Sequence, residues 1–225
     1  MEDLFCDSSS LISLTGSCLD NVIYFLSNKF KLRFAIPPFV EYESITRPIS
    51  SDLKQYSFSA IKIKKLLMDG AVVKVDKDVQ RKTDRILYLA NNSLFVKGKS
   101  ITLLQRGEAE MIALAAELGV KNILIDERTT RMMIEAPFRM KEHMEKEFGV
   151  NIMVNNGNLR EFSDVVRGMQ VVRSSELLII AFEYGFFDGF GDMKLQALEA
   201  ALYKIKFSGC SISFDEVKEY IRSVK

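Results

Sequence analysis

Between Gln105 and Gly119 the apolar residues Met111, Leu114, Ala115 and Leu118 recur at helical spacing, and Gly119 stands where a helix C-cap belongs. Glu108 lies at the opening of that helix. Ile123-Leu124-Ile125 follows as a short apolar run ending at Asp126, the pattern of a buried parallel strand. The start of the chain has the same form. Leu4-Phe5-Cys6 predicts a strand with Asp7 at its carboxyl end, and Ser8, Ser9 and Ser10 are each suited to cap the helix begun by Leu11, Ile12 and Leu14. A second helix is predicted from about Leu19 to Leu26. From Lys31 to Ile36, Leu32, Phe34 and Ile36 alternate as in a strand, and Pro37-Pro38 stops it. Pro38 suits the first turn of a helix that carries Val40, Glu41, Tyr42 and Glu43 and ends near Arg47-Pro48.

The middle of the chain is less regular. Ser51 to Met68 predicts a helix with Leu53, Ile61, Leu66 and Leu67 on its apolar side. Ala71 to Val75 reads as an extended piece, Lys77 to Asn91 as a charged helix, and Asn91-Asn92 and Lys97-Gly98-Lys99 as turns. Beyond Asp126, short helices are predicted over Arg128–Glu135 and Phe138–Phe148, the latter ended by Gly149. A strand over Val150–Val154 and a turn at Asn155-Asn156-Gly157 come next. Helices follow over about Leu159–Met169, Ser174–Phe186 and Met193–Lys206, and Ser213 with Glu216 forms a capping box for a last helix through Arg222. There is no internal repeat, linker or low-complexity run. Strands alternating with helices predict an α/β fold, a parallel sheet flanked by helices.

Composition narrows the class. Hydrophobic residues make up 48% and charged residues 27% of the 225, as in a soluble globular protein. No apolar run approaches the ~18 residues that span a bilayer, and two early acids without a basic n-region argue against a secretory signal. Cys6, Cys18 and Cys210 are odd in number and far apart, which argues against a disulfide framework or a zinc knuckle and predicts a cytoplasmic protein. The net charge of +1 conceals an asymmetry: Ser44 to Arg106 holds 13 Lys or Arg against 5 Asp or Glu, and the rest of the chain 18 against 25. A basic middle on an acidic body suggests a polyanionic partner, with a solvated surface as the equal alternative. The run Lys62, Lys64, Lys65 is the densest candidate for phosphate contacts, and Arg128 is another. His143 reads as an ordinary surface residue, and Phe182, Phe186, Phe187 and Phe190 as core packing or a subunit interface.

The chemistry-bearing pattern is acidic. Asp7, Glu43 (or Glu41), Glu108 and Asp126 all stand at element ends or on first turns. Singly, each has an ordinary explanation as an N-cap or as a dipole partner. In a parallel sheet, however, the carboxyl ends of the strands share one edge, where ligands bind. Two carboxylates ~4 Å apart repel by roughly 4 kcal/mol at an effective dielectric near 20. Four of them gathered there call for a cation, and all-oxygen ligands suit Mg²⁺ or Mn²⁺.

These segments resemble the PIN-domain nucleases. The resemblance rests on Asp7-Ser8-Ser9-Ser10-Leu11-Ile12, Val40-Glu41-Tyr42-Glu43, Gly107-Glu108-Ala109-Glu110-Met111-Ile112-Ala113-Leu114-Ala115 and Leu124-Ile125-Asp126-Glu127-Arg128. The Gly-Glu-Ala-Glu opening and the Asp-Glu-Arg ending are most similar to the prokaryotic branch related to toxin–antitoxin ribonucleases, as is the tail from Phe207 to Ser213. It covers residues 1–47 and 100–160 and extends less closely to the tail. What it implies is a Rossmann-like PIN three-layer α/β/α sandwich over residues 1–160. Residues 48–99 would form a helical insertion, and residues 161–225 a helical C-terminal extension packed on the same domain. It also implies metal-dependent endoribonuclease activity. Asp7, Glu43, Glu108 and Asp126 would hold Mg²⁺ or Mn²⁺, Glu127 would be a further ligand, and Ser8 or Ser9 would support Asp7. Glu43 is preferred to Glu41 because the family sets an acid three residues after the Val that here is Val40. Many members place Thr or Asn before the last acid, where this chain has Ile125. RNA is the implied substrate, and a protein inhibitor or antitoxin and a second copy of the chain are the candidate partners. Two rival readings are a catalytically weak or inactive PIN-fold scaffold for RNA or protein, and a phosphatase acting through Asp7. The latter would want a second acid where Ser9 stands.

Overall fold

A computed structural model describes residues 2–51 and 54–224, so the expectation placed on Leu53 lies outside the described residues. The chain begins with β1 (Glu2–Cys6), α1 (Ser8–Gly16), α2 (Asn21–Phe30) and β2 (Leu32–Ile36). Pro37-Pro38 then starts a helical stretch in three parts: α3 (Pro38–Glu41), a π turn (Tyr42–Thr46) and α4 (Arg47–Ser50). The helix predicted to end near Arg47-Pro48 therefore runs on through Pro48. A 3₁₀ turn (Lys54–Tyr56) leads into α5 (Ser57–Met68), followed by β3 (Val72–Lys74) and α6 (Gln80–Asn91). β4 (Leu94–Val96) and β5 (Lys99–Ser100) form a hairpin around Lys97 and Gly98, which both carry positive φ, 49° and 77°, as a type I′ turn requires. α7 (Arg106–Leu118) ends at Gly119 with φ 69°, and β6 (Asn122–Leu124) follows directly.

α8 (Arg128–Glu135), a 3₁₀ turn (Pro137–Arg139), α9 (Met140–Phe148) and β7 (Met153–Val154) come next. The predicted strand over Val150–Val154 is thus only two residues long, and it pairs antiparallel with β4 in a small three-stranded sheet. The turn predicted at Asn155 is the start of α10 (Asn156–Val165), where Gly157 N and Asn158 N donate to Asn155 Oδ1 at 3.1 and 3.2 Å. β8 (Gln170–Val172) succeeds it, then α11 (Ser174–Glu183), a 3₁₀ stretch (Asp188–Met193), α12 (Lys194–Phe207) and α13 (Phe214–Ser223). Ser213 caps α13 by accepting from Glu216 N at 3.0 Å while Glu216 Oε2 accepts from Ser213 N at 2.7 Å.

Five strands form one parallel sheet in the order β3-β2-β1-β6-β8. The pleat divides its side chains between two cores. Leu4, Cys6, Phe34, Ile36 and Leu124 face α1, α2, α5 and the C-terminal helices. Phe5, Ala35, Ile123 and Ile125 face α6, α7, α8 and α10. Helices cover both faces, so the chain is an α/β protein with a mostly parallel sheet and a small antiparallel one. Two expectations are corrected. The stretch 48–99 is not purely helical, because it carries β3 at one edge of the sheet, and α5 and α6 pack against α1 and α7. Residues 161–225 likewise carry β8, the opposite edge, paired with β6. Leu177, Leu178 and Leu202 lie in the same core as Leu11 and Leu14. Among the described residues no helix is long and apolar enough to cross a membrane.

Candidate metal centre

β1 is the switch point of the sheet. From it the chain builds β2 and β3 to one side and β6 and β8 to the other, and the carboxyl ends of β1 and β6 meet at the switch point, where open α/β sheets bind their ligands. Asp7 follows β1, and its N–H donates to Leu124 O at 3.0 Å. Its carboxylate caps α1, accepting from Ser9 N at 3.1 Å, from Ser9 Oγ and from Ser8 Oγ at 3.4 Å. Asp126 stands two residues past β6 and is fully buried. Its Oδ1 accepts from Ser174 N at the start of α11 at 2.8 Å, and its carbonyl accepts from Ser211 N at 3.1 Å. Asp126 Oδ2 has no hydrogen-bond partner among the described residues, nor does the buried Ser174 Oγ. Ser174, Cys210 and Ser13 lie near enough to soften the Asp126 charge without closing a bond to Oδ2.

The other two acids come from helices that face this rim. Glu108, in the first turn of α7, accepts from Gln105 N at 2.6 Å through Oε2 and from Thr130 Oγ1 through Oε1. Glu43 belongs to the π turn, where the widened coil carries the chain between α3 and α4. Its carboxylate rests on the first turn of α7: a Cβ on Gly107 would lie 2.4 Å from Glu43 Oε2. Only glycine admits that approach without displacing the carboxylate. Glu41 turns elsewhere and pairs with Lys74 at 3.0 Å. Glu127 is the N-cap of α8, accepting from Thr130 N at 2.6 Å. Thr130 therefore holds Glu127 by its N–H and Glu108 by its hydroxyl. Sequence reasoning passed over Thr130, because its hydroxyl reaches Glu108 from 22 residues away. Ser174 and Ser211 gave no signal either, because they reach Asp126 from 48 and 85 residues away. Ile125, the residue before Asp126, is buried in the core on the opposite face of the sheet from Leu124.

The electrostatics tie the acids together. Burial pushes the Asp7 carboxyl up, with the Asp126 charge adding to it. Burial and then the Asp7 charge raise Glu43, partly offset by Arg47. The same two causes carry Glu108 to about 8 despite the bonds from Gln105 and Thr130. Burial raises Asp126 as well. Among the described residues none of the four is in an ion pair. The donor set is all oxygen, which suits a hard divalent cation, and the bare Oδ2 of Asp126 is an atom such a cation satisfies. The carboxylates are not gathered into a cage: among the described residues no three His, Cys, Asp or Glu side chains are disposed to hold a metal ion.

The basic residues are largely answered within the fold. Lys62 pairs with Asp20 at 2.6 Å and Lys65 with Asp69 at 2.8 Å, so two of the three lysines expected on a phosphate backbone are engaged. Lys64 and Arg128 are exposed. Lys77 and Lys82 share Glu117, and Arg85 meets Glu161. The basic middle thus closes much of its charge against acids from the rest of the chain. His143 pairs with Glu147 at 2.9 Å, and Phe187 is buried against Phe186. A cavity of about 590 Å³ lined by Pro137, Phe138, Arg139 and Arg167 holds none of the four acids. One of about 350 Å³ opens directly beside Ser8 and Glu43. No family model matches the chain, and neither a curated protein nor a solved structure matches it.

Proposed function

We propose that the chain is a PIN-like, metal-dependent endoribonuclease. The observation that carries the reading is the gathering of Asp7, Glu43, Glu108 and Asp126 around one rim of the sheet, none of them in an ion pair among the described residues and only Arg47 acting against the charge, at Glu43. These four would hold Mg²⁺ or Mn²⁺, with Glu127 as a further ligand. The ions would supply a nucleophilic water at neutral pH and offset charge at the leaving oxygen. Ser8 and Ser9 fix the Asp7 carboxylate, and Gln105 N and Thr130 fix that of Glu108. Ser174 N orients Asp126 so that one oxygen stays bare. Cleavage of single-stranded RNA in Mn²⁺ tests this. Asp126→Asn and Glu43→Gln are each expected to fall below a hundredth of the wild-type rate, a loss larger than the roughly 10–100-fold typical of residues that only support ligands. Cleavage unchanged in both removes the site.

The absence of a ready-made cage among the described residues favours a second reading, a PIN-like scaffold that binds RNA or protein without cutting. Mn²⁺ titration separates the two. A working site gains about 2.7 kcal/mol of stability when the free ion stands at about 100 times Kd. A scaffold with an incomplete site gains none.

A further inference from the structure

The cavity beside the acids has walls of its own kind. Ser8, Glu43, Arg47, Pro48, Gln55 and Tyr56 are among the residues that line it, around about 350 Å³. That volume lies within the range of small-molecule sites. The Lys54–Tyr56 turn is tied to α4: Lys54 Nζ donates to Ile49 O at 2.9 Å, and the Oγ of Ser57, the first residue of α5, to Pro48 O at 3.0 Å. Tyr56 keeps 47% of its surface exposed. Gln55 Nε2 donates to the Tyr56 hydroxyl at 3.2 Å, which leaves the amide oxygen available. Arg47 is exposed, and its charge acts on Glu43 across the cavity lining without an ion pair between them. Lys64, Arg81, Lys97 and Lys99 are likewise without an ion pair among the described residues, but of these cations Arg47 is the one that lines the cavity beside Glu43.

We propose that this cavity binds one nucleotide of a single-stranded RNA next to the phosphate presented to the acids. Arg47 takes its phosphate, Tyr56 stacks on its base, and the Gln55 amide oxygen meets the base edge. A planar guanidinium matches a phosphate by paired donors. An exposed ring on a fixed turn offers stacking, which requires an unpaired base. The acids repel a phosphate backbone, and Arg47, one helical turn from Glu43, supplies the opposing charge where the strand leaves them.

The inference rests on the nuclease reading, and the test keeps the two apart. A fluorescein-labelled hexaribonucleotide is titrated against the full chain by anisotropy in EDTA, where metal-dependent cutting does not occur. Cleavage of the same probe is then measured in Mn²⁺. Tyr56→Leu is expected to weaken binding roughly tenfold or more, and Tyr56→Phe to restore it, because the ring alone stacks. Arg47→Gln is expected to lower the salt dependence of log K by about 0.7. Asp126→Asn should bind at least as tightly as wild type, because one repelling charge is removed, and fail to cut. Pocket variants that bind as tightly as wild type, with an unchanged salt slope, overturn the pocket even if the chain cuts RNA. Wild-type binding lost in Tyr56→Leu, with no cutting by any form, sustains the pocket and removes the nuclease.

Discussion

The two ends of α7 carry the same residue in opposite circumstances. Glu117, in the last turn, lies at the surface, partly exposed, and is held down to about 2 by hydrogen bonds from Lys82 and Lys77. Glu108, in the first turn, is driven up to about 8 by burial and by the charge of Asp7. Glu216, held at about 2 with Arg173 against it, belongs with Glu117. Away from the rim many carboxylates of this protein are paired with its own lysines and arginines. At the rim it collects four acids, none in an ion pair among the described residues, with Arg47 alone acting against one of them, Glu43. Charges so little compensated call for a compensator from outside, either a proton or a metal ion.

Proton binding gives the sharpest way to break the comparison. Between the ordinary 4.5 and about 8, Glu108 is protonated in the folded chain and ionised in the unfolded one. The folded state then binds the extra proton, so stability falls as pH rises across that interval, and the loss is complete above it. The fall attributable to this group is expected to be on the order of a few kcal/mol. Glu108→Gln should flatten the profile in urea unfolding between pH 5.5 and 8.5. A wild-type profile that is flat, or that rises, shows the rim acids to be compensated after all. Glu117 has the opposite sign: its contribution is present at neutral pH and disappears only as pH falls towards about 2.

A smaller effect is expected from Gly107→Ala. The new methyl group displaces the Glu43 carboxylate, whose end is free to move, so the helix stays intact and gains up to about 1 kcal/mol. Cleavage is expected to fall roughly 10–100-fold, as when a support of a ligand is lost. A stable variant that cuts normally would separate Glu43 from the chemistry. The smallest effect belongs to the other end of α7. Lys82→Met removes an exposed pair and should change stability by no more than about 1 kcal/mol, with activity untouched.

Much of the frame was legible because its signals are local. Leu4-Phe5-Cys6-Asp7 with its serines, Leu32 to Pro38, and Met111 to Asp126 each combine an apolar period with a cap or breaker, and each forms where expected. The elements missed take their identity from partners. β8 is three residues of Gln-Val-Val that become a strand only because β6 lies beside them, and β4 needs β5 and β7. The π turn is set by packing around Glu43 and has no periodic signature. The basic run misled because sequence shows the charge of Lys62 but not Asp20, which lies 42 residues away. Lys65 and Asp69, four apart on one helix, were readable as a pair.

The seat of Asp126 is made of chain that comes late. Its side chain is oriented from Ser174 and its carbonyl is held by Ser211. A nascent chain halted before α11 already carries every acid of the rim, yet it lacks the backbone that aims the last one. Synthesis through Ser211 is in this sense a checkpoint on the site, set by the order in which the polypeptide is made.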